Sequence, residues 1–214
     1  MARRLPDAPF LYPIVDAALL GGRPVAAVVE ALVGGGARLL QLRAKDLPDR
    51  RLAQTAREAL AASRALGALL LINDRPDVAK IVGADGVHVG QEDLAPRDVR
   101  GLLPDALVGL STHDEAQLRA AAGEPVDYVA VGPIFPTRSK ARPDPVVGVE
   151  LLRRARALVG CPLVAIGGLS ADNAGEAVAA GADGVAVISA VLGGPDPAAA
   201  AAAIVRRLAQ ARRA

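Results

Sequence analysis

An eightfold α/β barrel, a (β/α)8 TIM barrel, is the fold class this sequence predicts, on three observations. Eight short aliphatic runs recur along 214 residues. Stretches of Ala, Leu and Arg with helical spacing separate them. Polar or glycine-rich groups follow the C-terminal ends of seven of the eight. Strands alternating with helices imply βαβ units and a parallel sheet. Eight such units in a chain of this length fit a closed barrel better than an open doubly wound sheet.

The elements follow in order. The first run is LYPIV (11–15). The second, ARLLQL (37–42), continues through Arg43, Ala44, Lys45 and Asp46 into a helix expected over 48–66. ALLLI (68–72) is followed by Asn73-Asp74-Arg75, and GVHV (86–89) by Gly90-Gln91-Glu92-Asp93. ALVGL (106–110) leads into Ser111-Thr112-His113, and DYVAV (127–131) into GPIFPTRSK, which carries Thr137, Arg138, Ser139 and Lys140. After a helix expected over 149–159, PLVAI (162–166) ends in Gly167-Gly168, and GVAVI (184–188) in Ile188-Ser189. The alanine run 198–203 reads as part of a last helix, alanine being the strongest helix former. No linker, charge block or shift in composition divides the chain, so residues 1–214 are expected to form one domain.

Several classes drop out. Net charge is +2 and the basic residues are scattered, which leaves no stripe for nucleic acid and no polybasic patch for a membrane surface. The one cysteine, Cys161, excludes an internal disulfide framework and a cysteine zinc site, and is expected to be structural. The opening MARRLPDAPF lacks the apolar core of a signal peptide, and no apolar run nears the roughly 18 residues of a membrane helix. A cytoplasmic protein acting on small molecules is the expectation; nothing fixes its oligomeric state, and a homo-oligomer stays open.

In a closed barrel the C-terminal strand ends share one rim, where active sites are built. The N-terminal ends look plainer, which argues for an enzyme. Asp74 and Asp93 should face each other from adjacent strands. Hard oxygen ligands without a histidine or thiolate cluster favour Mg²⁺, which completes its shell with phosphate oxygens and water. Arg43, Lys45 and Lys140 supply positive charge suited to a diphosphate. Only three lysines stand against 22 arginines, so two of the three on the predicted rim is a pointed placement. Gly167-Gly168 and the Ile188-Ser189 amides follow strands 7 and 8, where barrels often hold a phosphate monoester. No Ser/His/Asp or Cys/His set suggests a covalent nucleophile. Competing readings make Asp74 and Asp93 helix caps, His88 a hydrogen-bonded barrel histidine, and His113 a solvated residue at a helix start.

Taken together, QLRAK, LINDR, GVHVGQEDL, GLSTH, GPIFPTRSK, AIGGLS and AVISA, each after its own strand, resemble thiamine-phosphate synthases over nearly the whole length. The resemblance implies that 4-amino-2-methyl-5-hydroxymethylpyrimidine diphosphate is joined to a thiazole-ethyl phosphate, or its carboxylated form, giving thiamine phosphate and pyrophosphate. It assigns Gln41, Arg43, Lys45, Asn73, Ser111 and Lys140 to the pyrimidine diphosphate, counts Leu42 and Ala44 of the same motif among the substrate-binding residues, and gives Asp74 and Asp93 to Mg²⁺. Thr137 and Ser139, with the backbone between them, and Gly167, Ile188 and Ser189 go with the thiazole phosphate, while Arg138 reads as a solvent-exposed loop cation on the diphosphate side. Arg43, Lys45 and Lys140 become the catalytic charges. With no general base in view, the expected path is dissociative, through a pyrimidine-methyl cation. Ala44 departs from the acidic residue common in relatives, Ser139 from their threonine, and 143–147 is a local variation in a loop expected to act as a lid.

Three other readings compete. A thiazole tautomerase of the same fold carries histidine at the position of Pro133 and lacks the two aspartates, both of which are present here. An aldolase or isomerase needs a Schiff-base lysine or an acid/base pair near the substrate carbon; Lys45 beside Arg43 reads better as a charge clamp. A non-catalytic barrel should have lost the aspartates or Lys140.

Overall fold

In the computed structural model, which describes residues 4–137 and 145–211, eight parallel strands close into a barrel in sequence order. They are β1 Phe10–Asp16, β2 Leu39–Arg43, β3 Leu69–Asn73, β4 Gly86–Val89, β5 Leu107–Thr112, β6 Tyr128–Val131, β7 Leu163–Ile166 and β8 Gly184–Val187. β1 pairs with β2 on one side and β8 on the other. The helices are α1 Val25–Gly34, α2 Asp49–Ala65, α3 Pro76–Val82, α4 Pro96–Leu102, α5 Glu115–Ala121, α6 Gly148–Leu158, α7 Ala174–Ala179, α8 Ser189–Leu192 and α9 Pro197–Ala211. The expected (β/α)8 architecture holds, with β4 falling on the predicted GVHV.

Period-2 alternation sorts the strand residues into two cores. Leu40 and Leu42 of β2 belong to the larger core between sheet and helices. Leu39 belongs to the inner one, with Phe10, Tyr12, Ile14, Leu71, Leu107, Tyr128, Ala130, Val164 and Ala186. Three of the chain's four Phe and Tyr residues thus fill the barrel interior. Room for them comes from an absent side chain: a Cβ on Gly109 would lie 2.1 Å from Tyr128 Cζ and 2.5 Å from His88 Nδ1.

The helix starts settle what Asp74 and Asp93 are not. α3 and α4 begin at Pro76 and Pro96, with Arg75 and Ala95 as their N-cap residues. Proline suits the first helical position because its missing N–H has no partner there anyway. Neither aspartate caps a helix, which leaves both carboxylates to the rim. Asp114 does cap α5, accepting the Gln117 N–H at 2.8 Å.

The N-terminal strand ends are not plain. Asp85, Asp127 and Asp183 precede β4, β6 and β8, and each grips one residue of the strand before. Asp85 Oδ2 accepts the Leu70 N–H at 2.9 Å, Asp127 Oδ2 that of Val108 at 2.7 Å, and Asp183 Oδ2 that of Leu163 at 2.8 Å. The aspartate N–H donates back to the carbonyl of the same residue in all three cases. Arg64, Arg100 and Arg156 complete the clasps through Asp85, Asp127 and Asp183. Local sequence hid the pattern, because a lone aspartate before a strand looks like a turn residue. This end contributes stability, and Cys161 lies here, half-buried, with burial pushing its thiol pKa up.

Candidate active site at the C-terminal rim

β2 places Gln41 and Arg43 on the inner face, one strand pleat apart. Arg43 stands in register with Asp16 of β1, and its Nη1 donates to Asp16 Oδ2. Asp16 is buried, and its other oxygen accepts the Ala18 N–H at 3.1 Å. The guanidinium is therefore held by a carboxylate that is itself anchored. Sequence reading missed Asp16, although it ends β1 where the other seven strands also carry rim groups; the same signal would have found it. Leu42 is a correction of a different kind: its side chain is buried in the outer core, so only its backbone faces the rim. Ala44 packs at the edge of that same core.

Lys45 Nζ lies 2.9 Å from Asp74 Oδ2. Asp74, at the end of β3, has φ of 60°, the one positive φ among the described non-glycine residues. Strain of this kind concentrates at functional sites. Asp93 sits beside it, its Oδ2 accepting the Gly90 N–H at 2.7 Å. Asp93 is exposed as a residue, yet partial burial of its carboxyl group pushes its pKa up. The Gly90 N–H opposes that rise and the neighbouring Asp74 carboxyl adds to it. Two adjacent carboxylates balanced by one ammonium suit a hard divalent cation. Among the described residues no group of three or more His, Cys, Asp or Glu side chains could hold an ion. A cation on this pair would draw the rest of its shell from ligand oxygens and water.

Beneath the rim a chain of polar side chains crosses the barrel. Gln41 Nε2 donates to Tyr12 Oη, Tyr12 Oη meets Tyr128 Oη, Tyr128 Oη meets His88 Nδ1, and His88 Nε2 meets Ser111 Oγ, each at 2.8 Å. His88 is thus the bonded barrel histidine expected from sequence. Ser111 lies within β5, and Asn73 stands in register with His88.

The segment after β6 runs on alongside β7. Ile134 N–H donates to the Ile166 carbonyl at 2.9 Å and Phe135 N–H to that of Gly167 at 3.0 Å. Gly167 has φ of 96°, and a Cβ there would lie 2.5 Å from Pro133 Cα. Only glycine allows this approach, so the Gly167-Gly168 turn and the Pro133 segment form one surface. Val147 N–H donates to the Pro133 carbonyl at 2.9 Å, tying the far end of the loop to the same place. His113 was expected to be solvated; it is partly buried, with Nδ1 donating to the Gly132 carbonyl at 2.6 Å. Thr137 is half-buried at the start of the loop, and Ile188-Ser189 opens α8 after β8. Arg138, Ser139 and Lys140, with most of the expected lid, lie outside the described residues.

Comparison with known proteins gives the family of the chain that carries this rim. The family model described as thiamine monophosphate synthase matches residues 11–191. The chain belongs to the thiamine-phosphate synthase family. It is 46% identical over 192 residues to the thiamine-phosphate synthase of Moorella thermoacetica, covering 89% of this chain and 91% of that one. It is 47% identical over 194 residues to that of Koribacter versatilis, covering 87% and 90%. The thiamine phosphate pyrophosphorylase of Pyrococcus furiosus superposes with a TM-score of 0.85 at 35% identity, over 94% of this chain and 96% of that one. The stretch matched by the thiamine-phosphate synthase family model takes in every rim residue named above, from Tyr12 to Ser189.

Proposed function

We propose that the chain is a thiamine-phosphate synthase, a transferase that joins the pyrimidine diphosphate to the thiazole phosphate and releases pyrophosphate. The observation that carries this reading is the cluster of Lys45, Asp74 and Asp93 beside the anchored Arg43. Two cations that follow β2 and a carboxylate pair that follows β3 and β4 stand on the same rim, which supports a site for a departing diphosphate. Gln41, Asn73 and Ser111, with the backbone of Leu42 and Ala44, bind the pyrimidine diphosphate, and Lys140 joins them from the loop. Gly167, Ile188 and Ser189 take the thiazole phosphate with Thr137 and Ser139, while Arg138 adds positive charge.

Asp74 and Asp93 hold Mg²⁺ in this reading. When bound, the ion would neutralise negative charge developing on the departing pyrophosphate. Arg43 and Lys45 do the same from the protein side, already oriented by Asp16 and Asp74 and so with little reorganisation. The thiazole nitrogen carries no proton to be removed, which agrees with a reading that assigns no general base among the described rim residues. The pyrimidine amino group delocalises positive charge, so the methylene–oxygen bond breaks first and the thiazole nitrogen captures the cation. Partners are the two small molecules. Among the described residues no helix is long and apolar enough to cross a membrane, and we place the enzyme in the cytoplasm. The test is complementation: expression should restore growth without thiamine to a bacterium lacking its own synthase. Failure of a soluble, well-expressed protein to do so would refute the reading.

A further inference from the structure

The five-residue chain under the rim does more than fill the barrel, because its hydrogen bonds can run in only two directions. Each phenol carries one proton. If Gln41 Nε2 donates to Tyr12, the Tyr12 proton must go to Tyr128, and the Tyr128 proton to His88 Nδ1. A neutral imidazole then carries its proton on Nε2 and donates it to Ser111 Oγ. The Ser111 proton is left to point elsewhere. Turning the Gln41 amide over reverses every link, and Ser111 must then spend its proton on His88.

We infer that these side chains form a one-way relay that fixes His88 as the Nε2–H tautomer, aims the Ser111 proton at a diphosphate oxygen, and leaves Gln41 Oε1 as the acceptor for an amino group on the pyrimidine. The inference rests on the function proposed above. A diphosphate oxygen only accepts, so an anion beside Ser111 favours this direction. The acceptor at the Gln41 end then matches an amino-pyrimidine. An oxo group there would ask the amide to turn, and the relay would withdraw the Ser111 proton from the leaving group. Selection of the base and contact with the departing diphosphate are thereby coupled through buried groups that cannot be left unpaired.

Two features hold the relay in place. Tyr12 and Tyr128 meet edge to face with ring centroids 5.8 Å apart, and His88 stacks on Tyr128 at 5.5 Å. Burial pushes both phenol pKa values upward, so both keep the protons the relay uses. Tyr12, Tyr128 and His88 are positioning residues, acting through Gln41 and Ser111.

Two measurements test this. The chain has only two histidines, and the Gly132 carbonyl requires His113 to be protonated on Nδ1. A nitrogen-15 spectrum of ring-labelled, ligand-free protein at about pH 8, where an ordinary imidazole is neutral, should show one tautomer of each kind. The variant His113→Gln should leave only the Nε2–H signal. Protonation of His88 on Nδ1 would overturn the relay, and this readout does not depend on catalysis. Tyr12→Phe keeps the packing but cuts Gln41 from the rest. The ratio of kcat/KM for the 4-amino over the 4-oxo pyrimidine diphosphate should fall by about tenfold or more. A ratio unchanged within about twofold would sink the coupling, even in a fully active synthase.

Discussion

Lys45 Nζ lies 2.9 Å from Asp74 Oδ2, on a residue whose backbone is held at φ of 60°. The ammonium balances this carboxylate, and the same carboxylate meets that of Asp93. Glycine adopts this φ without strain. Asp74→Gly should therefore stabilise the fold by about 0.5–1 kcal/mol while abolishing turnover. Urea unfolding and steady-state rates on the same preparation check it; a destabilised variant would show that the backbone there is not strained.

Asp93 gives a pH prediction. Its folded pKa is raised above the ordinary 3.8, so the folded protein binds this proton more tightly than the unfolded chain. The stability linked to that proton is present below 3.8 and lost as pH rises through the folded pKa. Asp93→Asn, which mimics the protonated form, should be more stable than the parent at pH 7 and equal to it near pH 3. A stability difference independent of pH would contradict the shift.

Gly167 tests the separation of the two anion sites. A Cβ at this position would press on Pro133, displacing the surface assigned to the thiazole phosphate. Gly167→Ala should raise KM for the thiazole phosphate by about tenfold or more and leave that for the pyrimidine diphosphate within about threefold. Equal effects on both substrates would argue for a single shared site.

The clasps at the opposite end predict a loss of stability without a loss of chemistry. Asp85→Ala strips the Leu70 N–H of its acceptor, and a buried unpaired donor costs about 1–3 kcal/mol. Denaturant midpoints should fall accordingly, while kcat at 25 °C stays within about twofold. A large drop in kcat in the folded variant would mean that the two ends of the barrel are coupled.

The proposed order, bond breaking before bond making, predicts a rate sensitive to the pyrimidine. Replacing its 2-methyl group by trifluoromethyl should slow single-turnover product formation by several orders of magnitude, since each 1.36 kcal/mol or so of cation destabilisation is tenfold. An unchanged or faster rate would favour direct displacement.

The strands were legible because buried parallel strands are short aliphatic runs bounded by turn residues, and the rim because polar groups recur just after them. Tyr12 and Tyr128 were not legible as a network. They are 116 residues apart, and within an apolar run a tyrosine reads as core. Leu42 and Gln41 are neighbours in one motif, but the pleat sends one side chain to the helices and the other to the site. The clasps of Asp85, Asp127 and Asp183 join strands through contacts that no local pattern records. Asp16 was within reach, as the polar residue that directly follows the one run, LYPIV, without an assigned rim group.

The most direct measurement mixes the purified protein with the pyrimidine diphosphate, the thiazole phosphate and Mg²⁺, and follows thiamine phosphate and pyrophosphate together. Equal amounts of both products are expected, with no reaction when either substrate is left out and loss of product in Asp93→Ala with its fold intact. Pyrophosphate released without thiamine phosphate, or full activity in Asp93→Ala, would contradict the proposed function.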